Sequence, residues 1–231
     1  MLTPRYRHEI KYVIDRFQMT QLDRRLSAVL AFDSHAGADG TYDIRSLYFD
    51  NAQDKALKEK TEGLARREKF RLRYYNLDTG YIRLEKKSKI NRLTDKQSCL
   101  ITRAQCAQIL AGDIAFLATS DEELMREFYA KIKLYGLAPK SVVDYTRKTF
   151  VCPVADTRIT LDYNIHSGLR AVDFLNTDLP TVPCDAVSEE PICILEVKYN
   201  AFLPGHVEAL LQTPDCRSSP FSKYEISRRF D

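Results

Sequence analysis

The sequence lacks the features that identify zinc, redox, secreted and membrane proteins. Its six cysteines are scattered and none forms a CxxC pair, so neither a zinc site nor a redox motif is predicted. No apolar run is long enough to span a bilayer, and the first residues lead directly into charged sequence without the apolar core of a signal peptide. We therefore expect a soluble, cytoplasmic protein with reduced cysteines and no transmembrane segment of its own.

The chain also lacks a large excess of one charge, since its formal net charge is only +3. General nucleic-acid binders are more often strongly basic overall, so we expect no nucleic-acid partner. Any anion site must then arise from a local arrangement of cations. The hydrophobic content of 44% is ample for a core, and the length suits one domain, predicted here to cover residues 1–231.

The densest cationic pattern lies in residues 66–89, which predict a β-hairpin around the turn-like residues 76–80. Because residues two apart in a strand share a face, Phe70, Leu72 and Tyr74 line one apolar face. The opposite face carries Arg67, Lys69, Arg71, Arg73, Arg83, Glu85, Lys87 and Lys89. A solvated surface is the usual location of such charges. A polyanion site is favoured because rows of like charges repel each other unless an anion neutralises them.

Predicted strands at residues 5–14, 141–152 and 157–164 repeat this design, and a strand at 192–199 is apolar apart from two charged residues. Their charged side chains are Arg7, Glu9, Lys11, Arg147, Arg158, Asp162, Glu196 and Lys198. This pattern predicts an α+β protein built on a closed or nearly closed antiparallel β-barrel with helices packed outside. A barrel with a charged interior needs a charged ligand or water inside it.

Helical spacing predicts several helices between these strands. They are predicted at residues 17–30, 51–61, 103–111, 121–135, 205–212 and 222–229. Thr20 and Thr102 are candidate N-caps, while Gly112 and Gly136 are candidate ends.

Seven short motifs occur together in a recognisable order. They are RHEIKY (7–12), RLRY (71–74), LEKK (84–87), YTRKTF (145–150), RITLD (158–162), LEVK (195–198) and FSKY (221–224). In these residues the chain resembles the VTC domain, the polyphosphate polymerase module of the vacuolar transporter chaperone complex, in its stand-alone bacterial form. That family belongs to the triphosphate tunnel metalloenzymes, which are eight-stranded antiparallel barrels with a basic tunnel.

The resemblance implies a phosphotransferase that adds the γ-phosphate of ATP to inorganic polyphosphate, with a divalent cation, usually Mn²⁺ or otherwise Mg²⁺. The phosphate-binding catalytic residues would be Lys11, Arg71, Arg73, Lys87, Arg147, Arg158 and Lys223. Further substrate-binding residues would be Lys96, Lys89, Lys198, Ser222, Arg7, Glu9 and Glu85. Glu196 would bind the metal, and the C-terminal helix at Ser222 and Lys223 would cap one tunnel mouth.

Two other functions stay open at this point. The sister CYTH proteins include triphosphatases and adenylate cyclases and begin with Glu-x-Glu-x-Lys, whereas this chain has arginine at position 7 in place of the first glutamate. That change removes a potential metal ligand and favours the polymerase branch. The third function is a non-catalytic polyphosphate-binding module, and a membrane-protein partner that receives the product remains open. Asp162 could be a second metal contact or a partner of Arg158, and the second interpretation is favoured. Glu196 taken alone is equally an ion-pair partner of Lys198 or of an arginine on a neighbouring strand.

Overall fold

The computed structural model describes residues 7–91, 93–185, 191–213, 218 and 220–229, which form a mixed α+β architecture. The strands are β1 (His8–Ile14), β2 (Ala31–Phe32), β3 (Thr41–Asp50), β4 (Arg66–Tyr75), β5 (Ile82–Ile90), β6 (Leu93–Ile101), β7 (Ala138–Cys152), β8 (Thr157–Ser167), β9 (Val182–Pro183) and β10 (Cys193–Tyr199). The helices are α1 (Arg16–Ser27), α2 (Lys55–Thr61), α3 (Arg103–Leu110), α4 (Ala115–Ala118), α5 (Glu123–Tyr135), α6 (Gly205–Leu211) and α7 (Lys223–Ser227).

All ten described strands belong to one antiparallel sheet, whose main order is β1-β10-β8-β7-β3-β4-β5-β6. The strand β2 adds to β7, and β9 adds to β8. The two outer strands of this order, β1 and β6, approach at one bridge, where the Arg7 N–H donates to the Thr94 carbonyl at 3.4 Å. This single bridge does not make β1 and β6 paired strands. β1 pairs along its length with β10, and the bridge to β6 lies at Arg7, just before β1 begins. The structure is therefore a large ten-stranded sheet, and the predicted closed eight-stranded barrel is not confirmed.

The predicted hairpin is confirmed as β4 and β5, with Arg71 opposite Glu85 and Lys69 opposite Lys87. The connection begins with Asn76 and Leu77 in the left-handed region, at φ values of 49° and 58°. Asparagine enters this conformation more readily than most residues. The Asn76 side chain also accepts the Asp43 N–H at 2.9 Å, which ties the turn to β3.

Of the two predicted helix N-caps, one is confirmed and the other is wrong. Thr102 caps α3 through a capping box with Gln105, as predicted. Gly136 ends α5 at φ 67°, where glycine avoids the strain of a side chain. The cap predicted for α1 is wrong, because Asp15 begins that helix and Thr20 lies inside it. The hydroxyl of Thr20 donates to a carbonyl within the same helix, which is the usual bond of a threonine in a helix interior.

Two apolar clusters bury the helix-covered side of the sheet. One joins β3–β6 to α3, α4 and α5, and the other joins β1, β7, β8 and β10 to α1 and α6. In the first cluster the Phe128 ring lies 5.0 Å from Phe49 and 5.1 Å from Phe70. Each such side chain contributes about 1.5–3 kcal/mol when fully buried, so these clusters supply much of the stabilisation.

The short helices α2 and α7 pack on the other side of the sheet, which we call the inner face. Tyr224 and Ile226 of α7 join a third apolar cluster there, with Tyr48, Tyr145 and Ile194 from the strands. No helix in the described part of the chain is both long and apolar enough to cross a membrane.

Candidate anion-binding site

Charged side chains from seven strands and one helix share the inner face. The described cations on this face are Lys11, Lys69, Arg71, Arg73, Lys87, Lys96, Arg147, Lys198 and Lys223. The described carboxylates that pair with them are Glu9, Glu85, Asp162 and Glu196. The strand alternation that buries apolar neighbours on the outer side turns these residues inward. Cations therefore outnumber carboxylates on this face among the described residues. Such an excess in a confined space attracts anions.

Glu85 holds three of these cations and is 1% exposed. Its carboxylate lies 2.6 Å from Arg71, 2.5 Å from Lys96 and 3.7 Å from Arg73. Burial raises the pKa of Glu85, but the nearby Arg71 and Arg73 outweigh it and hold that pKa well below its ordinary value. The carboxylate is therefore ionised, and it fixes the guanidinium groups in one orientation.

Two tyrosines complete the contacts of these arginines. Arg71 donates to the Tyr48 hydroxyl at 3.1 Å, and Arg73 donates to the Tyr145 hydroxyl at 2.9 Å. Burial raises the pKa of Tyr48, but Arg71 and Lys69 lower it to about 7. Burial raises the pKa of Tyr145 to about 12, so its hydroxyl is a neutral acceptor, whereas Tyr48 is partly ionised at neutral pH.

Asp162 is the second orienting carboxylate. It accepts from Arg147 at 2.6 and 2.7 Å and lies 2.5 Å from Lys223 of α7. Burial raises the pKa of Asp162, and Arg147 and Lys223 lower it to about 2. The interpretation of Asp162 as a partner of Arg158 is wrong, because residues four apart in a strand lie about 13 Å apart. Arg158 instead pairs with Asp33 and donates to the Tyr42 hydroxyl at 3.0 Å.

A third group links β1, β5 and β10. Lys11 lies 3.0 Å from Glu196 and 3.4 Å from Glu9, while Lys87 lies 2.7 Å from Glu9. Glu196 also pairs with Lys198, so the ion pair considered from the sequence is present. Burial and the nearby Lys11 lower the pKa of Lys87 to about 7, although Glu9 opposes this. Burial also lowers the pKa of Lys11, but Glu196 and Glu9 outweigh it and raise that pKa.

A cavity of ≈ 120 Å³ opens from this group beside α2 and residues 220–222. Lys69 and Lys89 line it and make no ion pair with any described residue. Lys69 lies 5.2 Å above the Tyr48 ring, and its pKa is lowered to about 8 by burial and by the nearby Lys11, against the attraction of Tyr48. The cavity is therefore the part of the inner face whose positive charge is least compensated.

The structure brings most of the predicted site residues together. Those on the inner face or its cavity are Lys11, Arg71, Arg73, Lys87, Arg147, Lys223, Lys96, Lys89, Lys198, Glu9, Glu85 and Glu196. Ser222 caps α7 and accepts the Glu225 N–H at 3.4 Å. Arg7 lies apart, because its side chain pairs at 2.9 Å with the exposed carboxylate of Asp156.

Among the described inner-face residues, those that the predicted site omitted include Lys69, Tyr48 and Tyr145. Lys69 stood on the charged side of the hairpin pattern, and Tyr145 lies two residues before Arg147, so strand alternation points to both. Tyr48 follows the same alternation on β3, but tyrosine in a strand is more often simply packed. The inner location of Tyr48 became evident only from its contact with Arg71.

The inner-face carboxylates offer few oxygen donors for a divalent cation. Within the described ranges no three His, Cys, Asp or Glu side chains form a metal-binding group. Glu9 and Glu196 do flank a single cation, Lys11, so two oxygen donors lie close together. Mg²⁺ is commonly held by one or two carboxylates together with substrate phosphates. The residues therefore fit a cation that shares its ligands with a bound phosphate chain.

Among solved structures, several are similar to this chain. A protein from Bacillus halodurans, named as a proposed adenylate cyclase, is 13% identical with a TM-score of 0.49, and the match covers 88% of this chain and 84% of that chain. A protein from Pyrococcus horikoshii OT3 is 12% identical with a TM-score of 0.48, covering 95% of this chain and 98% of that chain. A protein from Pyrococcus furiosus is 10% identical with a TM-score of 0.46, covering 95% and 99%.

No curated protein matches the chain. A family model described as the VTC domain matches residues 6–230, which is nearly the whole sequence. The resemblance inferred from the seven motifs is thereby confirmed.

Proposed function

Since this chain belongs to the VTC domain family, we propose that it is a polyphosphate polymerase that uses ATP. The inner face would bind the phosphate chain as a basic tunnel. The eight strands of the main order would form the wall of this tunnel, and its two outer strands approach each other at the Arg7–Thr94 bridge. The helix α7 would cap one mouth. The proposal includes a cytoplasmic location, where ATP is available, and a membrane-protein partner as a recipient of the product.

One observation carries this proposal, namely the excess of cations over carboxylates on the inner face. Lys69 and Lys89 at the cavity have no carboxylate partner in the described chain, while the deeper arginines are oriented by Glu85 and Asp162. A buried array of like charges is costly unless an anion neutralises it. A linear chain of phosphates supplies repeated negative charges and many acceptor oxygens, which suit arginine forks and lysine ammonium groups.

The reaction in this proposal needs little covalent chemistry from the protein. A terminal oxygen of the polyphosphate chain attacks the γ-phosphorus of ATP, the bond between the β–γ bridging oxygen and the γ-phosphorus breaks, and ADP leaves. Arg71, Arg73, Arg147 and Lys223 would stabilise the charge on the transferring group, since phosphoryl transfer depends mainly on positioning and charge neutralisation. Arg158, Lys96 and Lys198 would contact phosphates further along the chain.

The proposed cofactor is Mn²⁺ or Mg²⁺, held by Glu196 with Glu9 beside it. When bound, it would withdraw charge from the phosphate oxygens. Phosphate binding itself would not require the metal. The pKa of Lys11 is raised, so this lysine stays charged between the two carboxylates. A phosphate oxygen that binds Lys11 or Lys198 would free Glu196 for the cation.

Incubation of the purified protein with ATP and Mn²⁺ tests the proposal. Long acid-labile phosphate chains together with ADP are the expected products. Release of free phosphate alone would instead identify a triphosphatase. Tight polyphosphate binding without either product would identify a binding module, and both of these results contradict the polymerase.

A further inference from the structure

The buried serine and threonine hydroxyls of the described chain have hydrogen-bond partners, with one exception. Those with partners are Ser46, Ser141, Thr149, Thr157, Ser167, Ser222 and Ser227. The exception is Thr160, which is 1% exposed and whose Oγ1 has no partner among the described residues. Since few buried polar groups in native proteins are unsatisfied, such a hydroxyl often marks the position of an ion or a water molecule.

Thr160 lies on β8, two residues before Asp162, and strand alternation places both on the inner face. Its cross-strand neighbours are Glu196 on β10 and Thr149 on β7. Directly opposed side chains have Cβ atoms about 4.5–5.5 Å apart, so the Thr160 hydroxyl and the Glu196 carboxylate can reach one small ligand between them. Thr149 is already bonded to the Tyr42 hydroxyl at 3.0 Å, and Glu196 is paired with two lysines.

An unpartnered hydroxyl at this position works against the stability of the protein. Valine has nearly the same shape as threonine and would fill the same space without leaving a polar atom unsatisfied. The hydroxyl therefore has a use only when something other than the described side chains binds it. Carboxylate oxygens are ligands that hard divalent cations prefer, and a serine or threonine hydroxyl also holds Mg²⁺ in P-loop phosphate-binding proteins.

We propose that Thr160 is a metal ligand, which binds a divalent cation together with Glu196 while the phosphate chain is present. This inference rests on the proposed function, because the phosphate chain completes the shell of the cation. It assigns to β8 a ligand that lies directly opposite the carboxylate on β10. Thr160→Val removes the hydroxyl and keeps the shape, while Thr160→Ser keeps the hydroxyl.

The test measures Mn²⁺ affinity by the electron paramagnetic resonance signal of free Mn²⁺, in the presence of saturating tripolyphosphate. We expect Thr160→Val to weaken Mn²⁺ binding about 10-fold or more, because mutation of a group that supports a metal site typically has an effect of this size. Thr160→Ser should bind Mn²⁺ nearly as tightly as the native protein does. In EDTA, the affinity for tripolyphosphate should be the same in all three proteins. Without ligand, Thr160→Val should raise the melting temperature by about 2–4 °C, whereas Thr149→Val, which loses a made hydrogen bond, should lower it.

The outcomes separate this inference from the function on which it rests. If the native protein binds no tripolyphosphate, the proposed function fails. If it binds tripolyphosphate and Mn²⁺ but Thr160→Val has the native Mn²⁺ affinity, only the metal ligand is refuted. Weaker binding of tripolyphosphate by Thr160→Val in EDTA would assign the hydroxyl to a phosphate and overturn the proposal. A lower melting temperature for Thr160→Val would show a structural partner and overturn it as well.

Discussion

The two faces of strand β4 lie in different environments, although their residues alternate along the same strand. Phe70 and Leu72 point outward into an apolar cluster and are at most 2% exposed. Arg71 and Arg73 point inward, where Glu85 and two tyrosine hydroxyls hold them. The outer side chains gain from the area they bury, whereas the inner ones require particular partners at particular distances.

This difference separates stability from function within one sheet. Apolar burial is non-directional, so an outer residue can be replaced by another of similar volume at small cost. A buried ion pair contributes little net stability, because the loss of hydration offsets the attraction. The inner charges are therefore better explained by the ligand they would bind than by the fold they support.

The comparison is tested most severely by Glu196→Gln, which keeps the shape of an inner side chain and removes its charge. We expect turnover of ATP to fall about 100-fold or more, because a metal contributes several kcal/mol to charge stabilisation. Polyphosphate binding should remain, since the cations are retained. Rates of ADP formation and a binding titration measure the two effects, and native turnover in this variant would remove the metal assignment.

On the outer side, Phe128→Ala should have the next largest effect. This ring is fully buried between Phe49 and Phe70, so its loss should lower the free energy of unfolding by about 3–5 kcal/mol. Urea denaturation gives the free energy. Tripolyphosphate affinity, measured where the variant is still folded, should be native, and a weakened affinity would show that the two faces are coupled.

For the inner arginines we expect ligand affinity, rather than stability, to be affected. Arg71→Ala should weaken tripolyphosphate binding about 10-fold to 100-fold, since a charged hydrogen bond contributes about 1.5–3 kcal/mol. Arg126→Ala is a matched control, because Arg126 lies on α5, on the other side of the sheet, and its side chain donates to the Ser120 carbonyl. Calorimetry at fixed ionic strength compares them, and equal affinities would mean that the inner charges do not bind phosphate.

Binding should also depend on pH in a predictable direction. The pKa values of Lys87 and Lys69 are lowered from 10.5 to about 7 and about 8 by burial and by nearby cations, so both lose their protons as the pH rises past these values. A bound phosphate would raise both pKa values, so binding takes up protons, and affinity should decrease between about pH 7 and pH 9.

The same lysines bind more protons in the unfolded chain than in the folded one above pH 7. Their contribution to the free energy of unfolding therefore rises with pH up to about 10.5.

Calorimetry of tripolyphosphate binding, in two buffers with different ionisation enthalpies, measures the number of protons taken up on binding. Binding without uptake at pH 8 would contradict the lowered pKa values.

The smallest effect is expected for an ion pair on the outer side. Lys86 pairs there with Glu127 of α5, whose side chain is 28% exposed. Glu127→Gln should change the free energy of unfolding by less than about 1 kcal/mol, because solvent screens such pairs. Phosphate affinity should not change, and a measurable loss would extend the binding surface beyond the inner face.

Strand alternation was sufficient to predict which hairpin residues share a face, since the period of two follows from the backbone alone. Local capping was predicted for Thr102 and missed for Asp15, because several polar residues near a helix start can each supply an acceptor. The pairing of Asp162 was also missed. Its partners come from β7 and from α7, and no pattern within β8 contains them.

By itself, the amino-acid sequence determined which side chains could become buried together on one side of a strand, and its seven motifs identified the family. The tertiary structure alone decided which carboxylate orients which cation, and left Lys69 at the cavity without a carboxylate partner among the described residues. The reason is physical. Alternation depends on neighbours along the chain, whereas ion pairs depend on distances of a few ångströms between strands that are far apart in sequence.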